Sequence, residues 1–387
     1  MYKVYLKKNE EKKIKTTQNI VYANEVDRIE GKDKNGSVAL VYSNNGEYLG
    51  KGFINHLSKM LVRIIRRDEG EIDRNYIKEL ISNASKFRES LGYASAYRLF
   101  FSESDGLSGL IIDKYEDYLV IQISSLGLDL IKSEIVDILV ELFSPKGIYE
   151  TVEEGLRLKE GLKGSDSILY GEIPNEVIIR ENNLKVSVDI KGGQKTGYFL
   201  DQKENRYTIR KYSKDREVLD CFSNTGGFTI NAALNAKSVI ALDISKKATD
   251  NVLRNAEINN LKNVSVITDD CFKVLRDFKK EGRLFGMIIL DPPAFTKSTA
   301  EVKDALRGYK DINILAMKIL KKGGILASSS CSHFISINQF ENMLKESALN
   351  ANKKVRCLEI RSQAPDHPFL LSSNESEYLK FFVLEVN

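Results

Sequence analysis

Five segments of the sequence place a side chain capable of chemistry directly after an apolar run. Four end in acids: Val-Leu-Asp at Asp220, Ile-Ala-Leu-Asp at Asp243, Val-Ile-Thr-Asp-Asp at Asp269 and Asp270, and Ile-Ile-Leu-Asp at Asp291. One aspartate after a strand is an ordinary turn or N-cap residue. Four in order form an acidic rim. The fifth run ends in Ser328-Ser329-Ser330-Cys331-Ser332-His333 and brings a thiol to the same rim. At such a position Cys331 is a candidate nucleophile, against the plainer role of a small buried hydrophobe.

The loop after the first acid reads Asp220-Cys221-Phe222-Ser223-Asn224-Thr225-Gly226-Gly227-Phe228. Its glycines let the backbone approach a ligand before a helix begins. An acid precedes the turn and the Gly-x-Gly-x-x-Gly fingerprint is absent, so a dinucleotide pyrophosphate would be poorly served and an NAD-dependent oxidoreductase is disfavoured. An acidic loop suits a cationic nucleoside without phosphates, and S-adenosylmethionine fits that description. Asp220, Phe222, Ser223, Thr225, Gly226 and Gly227 are the candidate cofactor loop. Asp243, with Ile244 beside it, is placed to take ribose hydroxyls. Asp270 would accept from an adenine amino group, with Cys271 packing on the ring. The same acids would also suit Mg²⁺, although the lysine of a Walker loop is missing.

Asp291-Pro292-Pro293-Ala294-Phe295 uses two of the chain's six prolines. Adjacent prolines fix an extended turn without free N–H groups and hold carbonyls and the aspartate toward the edge of a planar substrate. Pro292, Pro293 and Phe295 are therefore candidate substrate contacts, and Asp291 a candidate catalytic and cofactor-binding group.

The elements that must carry these residues alternate. From about residue 181 strands are expected at 216–221, 238–243, 264–268, 286–290 and 324–329, with helices starting at Phe228, Lys246 and Phe272 and a long one over 305–320. Such β-α alternation predicts a doubly wound α/β sheet, with ligands at the carboxyl ends of its strands. Two blocks precede it. Residues 1–73 show short alternating stretches with Asn44-Asn45-Gly46 as a hairpin turn, the pattern of a small β-rich barrel. Residues 74–180 read as an α+β module, with helices over 76–91 and 128–143 and strands at 97–102, 110–113, 118–124 and 147–152. Basic residues gather in the first block; Arg63 and Arg66 in Leu-Val-Arg-Ile-Ile-Arg-Arg are candidate RNA contacts, against the reading of a charged, solvated edge strand.

The chain has 387 residues, 42% hydrophobic and 29% charged, and its 58 Lys+Arg against 54 Asp+Glu leave a net charge of +4. Disorder and a mini-protein are excluded. No apolar run reaches a membrane span and the N-terminal charges precede no hydrophobic core of a signal peptide, so no membrane and a cytoplasmic location are expected. The 4 cysteines form no Cys-x-x-Cys pair and the 3 histidines stand alone, so no metal site is expected.

Over nearly its whole length the sequence resembles the class I methyltransferases that make 5-methylcytosine in large-subunit (23S) ribosomal RNA and carry an N-terminal PUA-like domain. The resemblance lies in Ser102-Glu103-Ser104-Asp105-Gly106-Leu107, Gly193-Gln194-Lys195-Thr196-Gly197-Tyr198-Phe199-Leu200-Asp201-Gln202 with Glu204-Asn205-Arg206, the Asp220 loop, Asp291-Pro292-Pro293, Arg307-Gly308-Tyr309-Lys310-Asp311-Ile312-Asn313, Ser-Cys-Ser-His and Ala364-Pro365-Asp366-His367-Pro368. It implies a PUA-like RNA-binding domain over 1–73, a central substrate-recognition domain over 74–180 and a Rossmann-like methyltransferase domain over 181–387. It also implies that Gln202 and Arg206 help close the cofactor pocket, and that the partner is ribosomal RNA or an assembling large subunit. A homodimer is the base-rate expectation. Many RNA 5-methylcytosine enzymes have a second cysteine after the Pro-Pro; Ala294 stands there, so another base or water must take the carbon 5 proton, and the role of His333 is open. Two other readings stand beside this one: methylation of an exocyclic amine (guanine N2 or adenine N6) by the Asp-Pro-Pro turn, and a non-catalytic RNA-binding or ribosome-assembly protein.

Overall fold

A computed structural model describes every residue except 17, 194–195, 297 and 372–375, so Gln194 and Lys195 of the glycine-flanked motif lie outside the described residues. Contacts divide the chain into two compact units. The first holds Met1–Ile179, Val188–Leu200 and Pro365–Asn374; the second holds Arg180–Ser187, Asp201–Ala364 and Glu375–Asn387. No helix among the described residues is long and apolar enough to cross a membrane.

The first unit contains two sheets. Six strands between Tyr2 and Arg66 form one, with Val38–Tyr42 and Tyr48–Ile54 joined through the expected turn, where Gly46 takes a φ of 84°. Five strands between Ala96 and Gly171 form the other. Helix Arg74–Ser90 starts where the Asp73 carboxylate accepts from the Tyr76 N–H at 2.9 Å, an N-cap that supplies one of the donors a helix start leaves over. The helix expected over 128–143 is two, Leu126–Leu130 and Lys132–Phe143, because Ile131 leaves helical geometry at φ −107° and ψ 19°. Phe53 and Ile65 from the first sheet pack into the same apolar core as Ile77, Ile81, Leu99 and Ile121 of the second block.

Charge locks this unit from within. Arg63, expected to face RNA, is only 8% exposed. Its Nη2 meets Glu160 Oε1 at 2.9 Å and its Nη1 donates to Ser108 Oγ at 2.7 Å. Alternation along Val62–Arg66 points its side chain inward, and a guanidinium there must be paired. Arg63 is thus an internal tie and not a phosphate contact. Arg66 lies nearer the surface, but it pairs with Asp68, donates to the Glu71 carbonyl and stacks 4.2 Å over the Tyr76 ring. The Ala-Pro-Asp-His-Pro motif also serves packing: Asp366 is fully buried, accepting from the Arg98 N–H at 3.0 Å, while Arg88 donates to its carbonyl at 2.9 Å.

The second unit is a seven-stranded sheet in the order Val264–Thr268, Ser238–Asp243, Glu217–Cys221, Phe285–Leu290, Leu320–Ser330, Lys380–Val386, Val355–Arg361. The first five are parallel, and Lys380–Val386 runs antiparallel to both neighbours. Every residue of Phe285–Leu290 is buried, because apolar layers cover both faces of the sheet and no polar alternation can survive there. On one face Leu219 and Ile288 pack with Leu275, Tyr309 and Phe340; on the other Val218 and Met287 pack with Ile209 and Phe228. The doubly wound architecture is the one expected, and the pair Lys380–Val386 and Val355–Arg361 adds two strands to the five.

Replacing Arg63 by Ala leaves the Glu160 carboxylate buried without its counter-charge, a change of about 3–5 kcal/mol for a broken buried pair. The Arg63→Ala chain is expected to lose the first unit's unfolding transition to lower denaturant concentration; an unchanged midpoint would show the pair to be energetically silent.

Candidate active site

The strand order reverses between Glu217–Cys221 and Phe285–Leu290: the chain first adds strands on one side and then crosses to the other. Connections leaving such neighbours diverge, and the crevice outside their carboxyl ends is where open α/β sheets bind ligands. Both predicted site loops open there.

The loop after Glu217–Cys221 is held in an unusual backbone. Phe222, Asn224 and Gly226 all have positive φ, at 60°, 47° and 83°. Asparagine and glycine tolerate that region, whereas phenylalanine does not, and such a residue costs about 1–3 kcal/mol. The neighbouring strand maintains it. Asp243 Oδ2 accepts from the Asn224 N–H at 2.9 Å, and the Leu242 carbonyl accepts from the Ser223 N–H at 3.1 Å. A Cβ on Gly226 would come within 3.1 Å of Val252, so glycine is needed there for space as well as for φ. Gly227 then opens helix Gly227–Ala233.

Asp220 is fully buried, one residue before the strand's end, and its Oδ2 accepts from the Thr229 hydroxyl at 2.6 Å. Burial pushes its pKa up to about 7, with the Thr229 bond opposing and the charges of Asp291 and Asp243 adding to the rise. Its Oδ1 and the buried Ser223 hydroxyl have no hydrogen-bond partner. Unfilled buried acceptors beside a protonatable carboxylate call for a cationic group. Ile244, 72% exposed at the end of the next strand, offers apolar surface to be covered. These features fit S-adenosylmethionine, a sulfonium with an amino-acid tail and a flat purine.

Two predicted cofactor contacts have other duties. Asp270 caps helix Cys271–Glu281, accepting from the Lys273 N–H at 2.8 Å, which is the plain N-cap role. Cys271 turns into the core, 3% exposed, with its Sγ 3.9 Å from the Leu242 carbonyl, so its thiol offers no face to a ring.

Asp291 is the hub of the second loop. Its Oδ1 accepts from Gln202 Nε2 at 2.9 Å and from the Ser329 hydroxyl of the adjacent strand. Gln202 is itself oriented by Asn205, whose Nδ2 donates to its Oε1 at 2.7 Å. The Asp291 carboxyl end is enclosed although the residue is half-buried, and this loss of water pushes its pKa up to about 6 against those hydrogen bonds. Arg206 is buried against Glu181, both contacts at 2.6 Å. Pro292 is buried and Pro293 exposed. Phe295 is not a free stacking platform: its ring sits 4.5 Å from that of Tyr309 and 6.4 Å from that of Phe272.

Strand Leu320–Ser330 runs parallel to Phe285–Leu290 with Ser328 opposite Leu290, so Cys331 emerges beside Asp291 at the same edge. It is half-buried, whereas Cys221 and Cys271 are buried and Cys357 is exposed. The Tyr309 hydroxyl, its pKa raised by burial, neighbours Ser330, Cys331 and Asp291. The exposed His333 sets its ring 5.0 Å from that of Tyr378. Among the described residues no three His, Cys, Asp or Glu side chains gather to hold a metal. Sequence reasoning missed Ser329, Asn205, Tyr378 and Lys380. The sequence signal for Lys380 was its charge inside the apolar run Tyr378-Leu379-Lys380-Phe381-Phe382-Val383.

Residues 152–373 match the family model of the S-adenosylmethionine-dependent methyltransferases, and residues 4–67 that of a PUA-like domain. The chain belongs to the S-adenosylmethionine-dependent methyltransferase family. Ribosomal RNA large subunit methyltransferase I of Aliivibrio fischeri is 40% identical over 391 residues, 99% of each chain. The Vibrio cholerae protein of that name is 39% identical over 392 residues, again 99% of each. Two solved methyltransferases share the fold across 100% of both chains: one from Streptococcus mutans, 24% identical with a TM-score of 0.84, and one in complex with S-adenosylhomocysteine, 23% identical with a TM-score of 0.86. The methyltransferase cofactor is S-adenosylmethionine, and the fold has an N-terminal PUA-like domain with the methyltransferase domain after it.

The sign of the Asp220 shift gives a test. Its carboxyl holds a proton up to about pH 7, and that proton must leave before a carboxylate can face a cation. Cofactor affinity measured by calorimetry is expected to fall about tenfold per unit as the pH drops below that value. Asp220→Asn flattens the dependence. A wild-type profile that is level through this range would contradict the assignment.

Proposed function

We propose that this methyltransferase modifies carbon 5 of a cytosine in large-subunit ribosomal RNA, with Cys331 as nucleophile and Asp291 as the group that grips the base. The observation that carries the reading is the arrival of a half-buried thiol and an enclosed, raised-pKa aspartate at neighbouring strand ends, beside a loop suited to the cofactor. The names of the full-length relatives support large-subunit ribosomal RNA as the substrate class. The PUA-like domain and the block over 74–180 would then hold the RNA, and residues 181–387 would perform the transfer.

Carbon 5 of cytosine is a weak nucleophile, and the residues supply what it lacks. The Cys331 thiolate adds to carbon 6, forming a carbon–sulfur bond and moving the ring's electron pair toward carbon 5. Asp291, protonated up to about pH 6, donates to N3 as negative charge grows there. When bound, S-adenosylmethionine would supply the electrophile, its methyl–sulfur bond breaking as carbon 5 takes the methyl group and S-adenosylhomocysteine leaving as the thioether. A base or water then removes the carbon 5 proton, the electron pair returns to the ring and the Cys331 sulfur departs. Ala294 leaves no second thiol for the proton. Methylation of an exocyclic amine draws less support, because the aromatic that would stack on the base, Phe295, is packed against Tyr309.

Cys331→Ala is expected to abolish methyl transfer, a loss of at least about a thousandfold for removal of a covalent nucleophile, while cofactor binding by calorimetry stays intact. The assay is incubation with unmodified ribosomal RNA and labelled cofactor, digestion to nucleosides and identification of the labelled one. Label in 5-methylcytidine supports the reading; label in a methylated guanosine or adenosine, or full activity in Cys331→Ala, overturns it.

A further inference from the structure

Lys380 is a buried cation that the reaction as written does not use. It is 3% exposed and opens strand Lys380–Val386. That strand is antiparallel to Leu320–Ser330, and the register sets Lys380 directly opposite Ser330, one residue before Cys331. Because the two strands run in opposite directions, the start of one meets the end of the other, and the ammonium reaches the turn that carries the thiol. Its Nζ donates to the Ser332 carbonyl at 2.6 Å and to the Tyr378 carbonyl at 2.7 Å. An ammonium has three hydrogens, so one remains beyond these two bonds.

Resting on the reading of Cys331 as nucleophile, we infer that Lys380 is its positioning residue: it fixes the turn 331–333 through the Ser332 carbonyl and holds the neighbouring sulfur as a thiolate. The two carbonyl acceptors fix the direction of the ammonium, and its third hydrogen adds a donor and a positive charge on the remaining side. The role inferred is that of the charged form, and Lys380→Arg, which keeps the charge and cannot act as a base, separates it from proton abstraction. Burial pushes the Lys380 pKa down to about 8, and the Cys331 charge pulls it back up, ahead of that of Glu377. The same attraction acts on the thiol in the opposite sense, favouring its ionised form. The other ionisable groups around the pair are Asp291 at the neighbouring strand end, whose carboxylate opposes a thiolate when ionised, Tyr309, which faces Cys331, His333 on the turn, and Tyr378, whose hydroxyl donates to Asp201 Oδ2 at 2.6 Å. None of these supplies a second cation as deeply buried as Lys380.

The test reads the thiol itself. The rate of alkylation of Cys331 by iodoacetamide is followed against pH by peptide mass spectrometry, which separates it from the exposed Cys357. In the wild-type chain the midpoint is expected below the ordinary thiol value of about 8.5. Lys380→Met is expected to raise it by about one unit or more and to slow alkylation at neutral pH about tenfold, whereas Lys380→Arg keeps it close to wild type. A folded Lys380→Met chain with an unchanged midpoint overturns the inference. If that variant does not fold, a wild-type midpoint at or above the ordinary value overturns it alone. Loss of the cytosine reading shows separately, as methyl transfer surviving in Cys331→Ala.

Discussion

The crossover between Glu217–Cys221 and Phe285–Leu290 is the constraint on which the rest of the second unit depends. Two parallel strands whose connections diverge leave the sheet's carboxyl edge open at one place, and there only the loops can fill the gap. The Asp220 loop and the Asp-Pro-Pro turn do so from the two sides, joined where the Asp291 N–H reaches the Cys221 carbonyl at 3.5 Å. Both loops are held from neighbouring elements: Asp243 acts on the first, Ser329 and Gln202 on the second.

The edge concentrates cost. A phenylalanine in left-handed backbone and two carboxyl groups drawn from water would each destabilise an ordinary loop. The buried layers on both faces of the sheet offset these costs, since residues such as Leu219, Ile288 and Met287 are removed from water entirely. The strain and the dehydration therefore sit where a charged ligand can use them, and the stable layers sit below.

Much of this was legible in the sequence, for a physical reason. A strand buried on both faces reads as an unbroken apolar run, so Phe285–Leu290 announced itself, and the residue that follows it was a site candidate by position. Side-chain direction was not legible. Whether Arg63 points inward, whether Cys271 faces the core and whether Phe295 is engaged by Tyr309 depend on tertiary neighbours that linear spacing does not encode. Asp270 shows the same limit in milder form, since an acid after a strand serves equally as a helix cap. Lys380 stood out as a charge inside an apolar run, but its role was not legible because its partner turn lies 48 residues away along the chain.

The antiparallel strand Lys380–Val386 bears on the order in which the molecule matures. It is last of the seven in sequence yet lies inside the sheet, with Leu320–Ser330 on one side and Val355–Arg361 on the other. Until it inserts, Leu320–Ser330 has an unpaired flank and the turn at Ser332 lacks its lysine anchor. Pairing along that flank and the anchoring of the Ser332 turn thus both wait on the strand that comes last in the sequence.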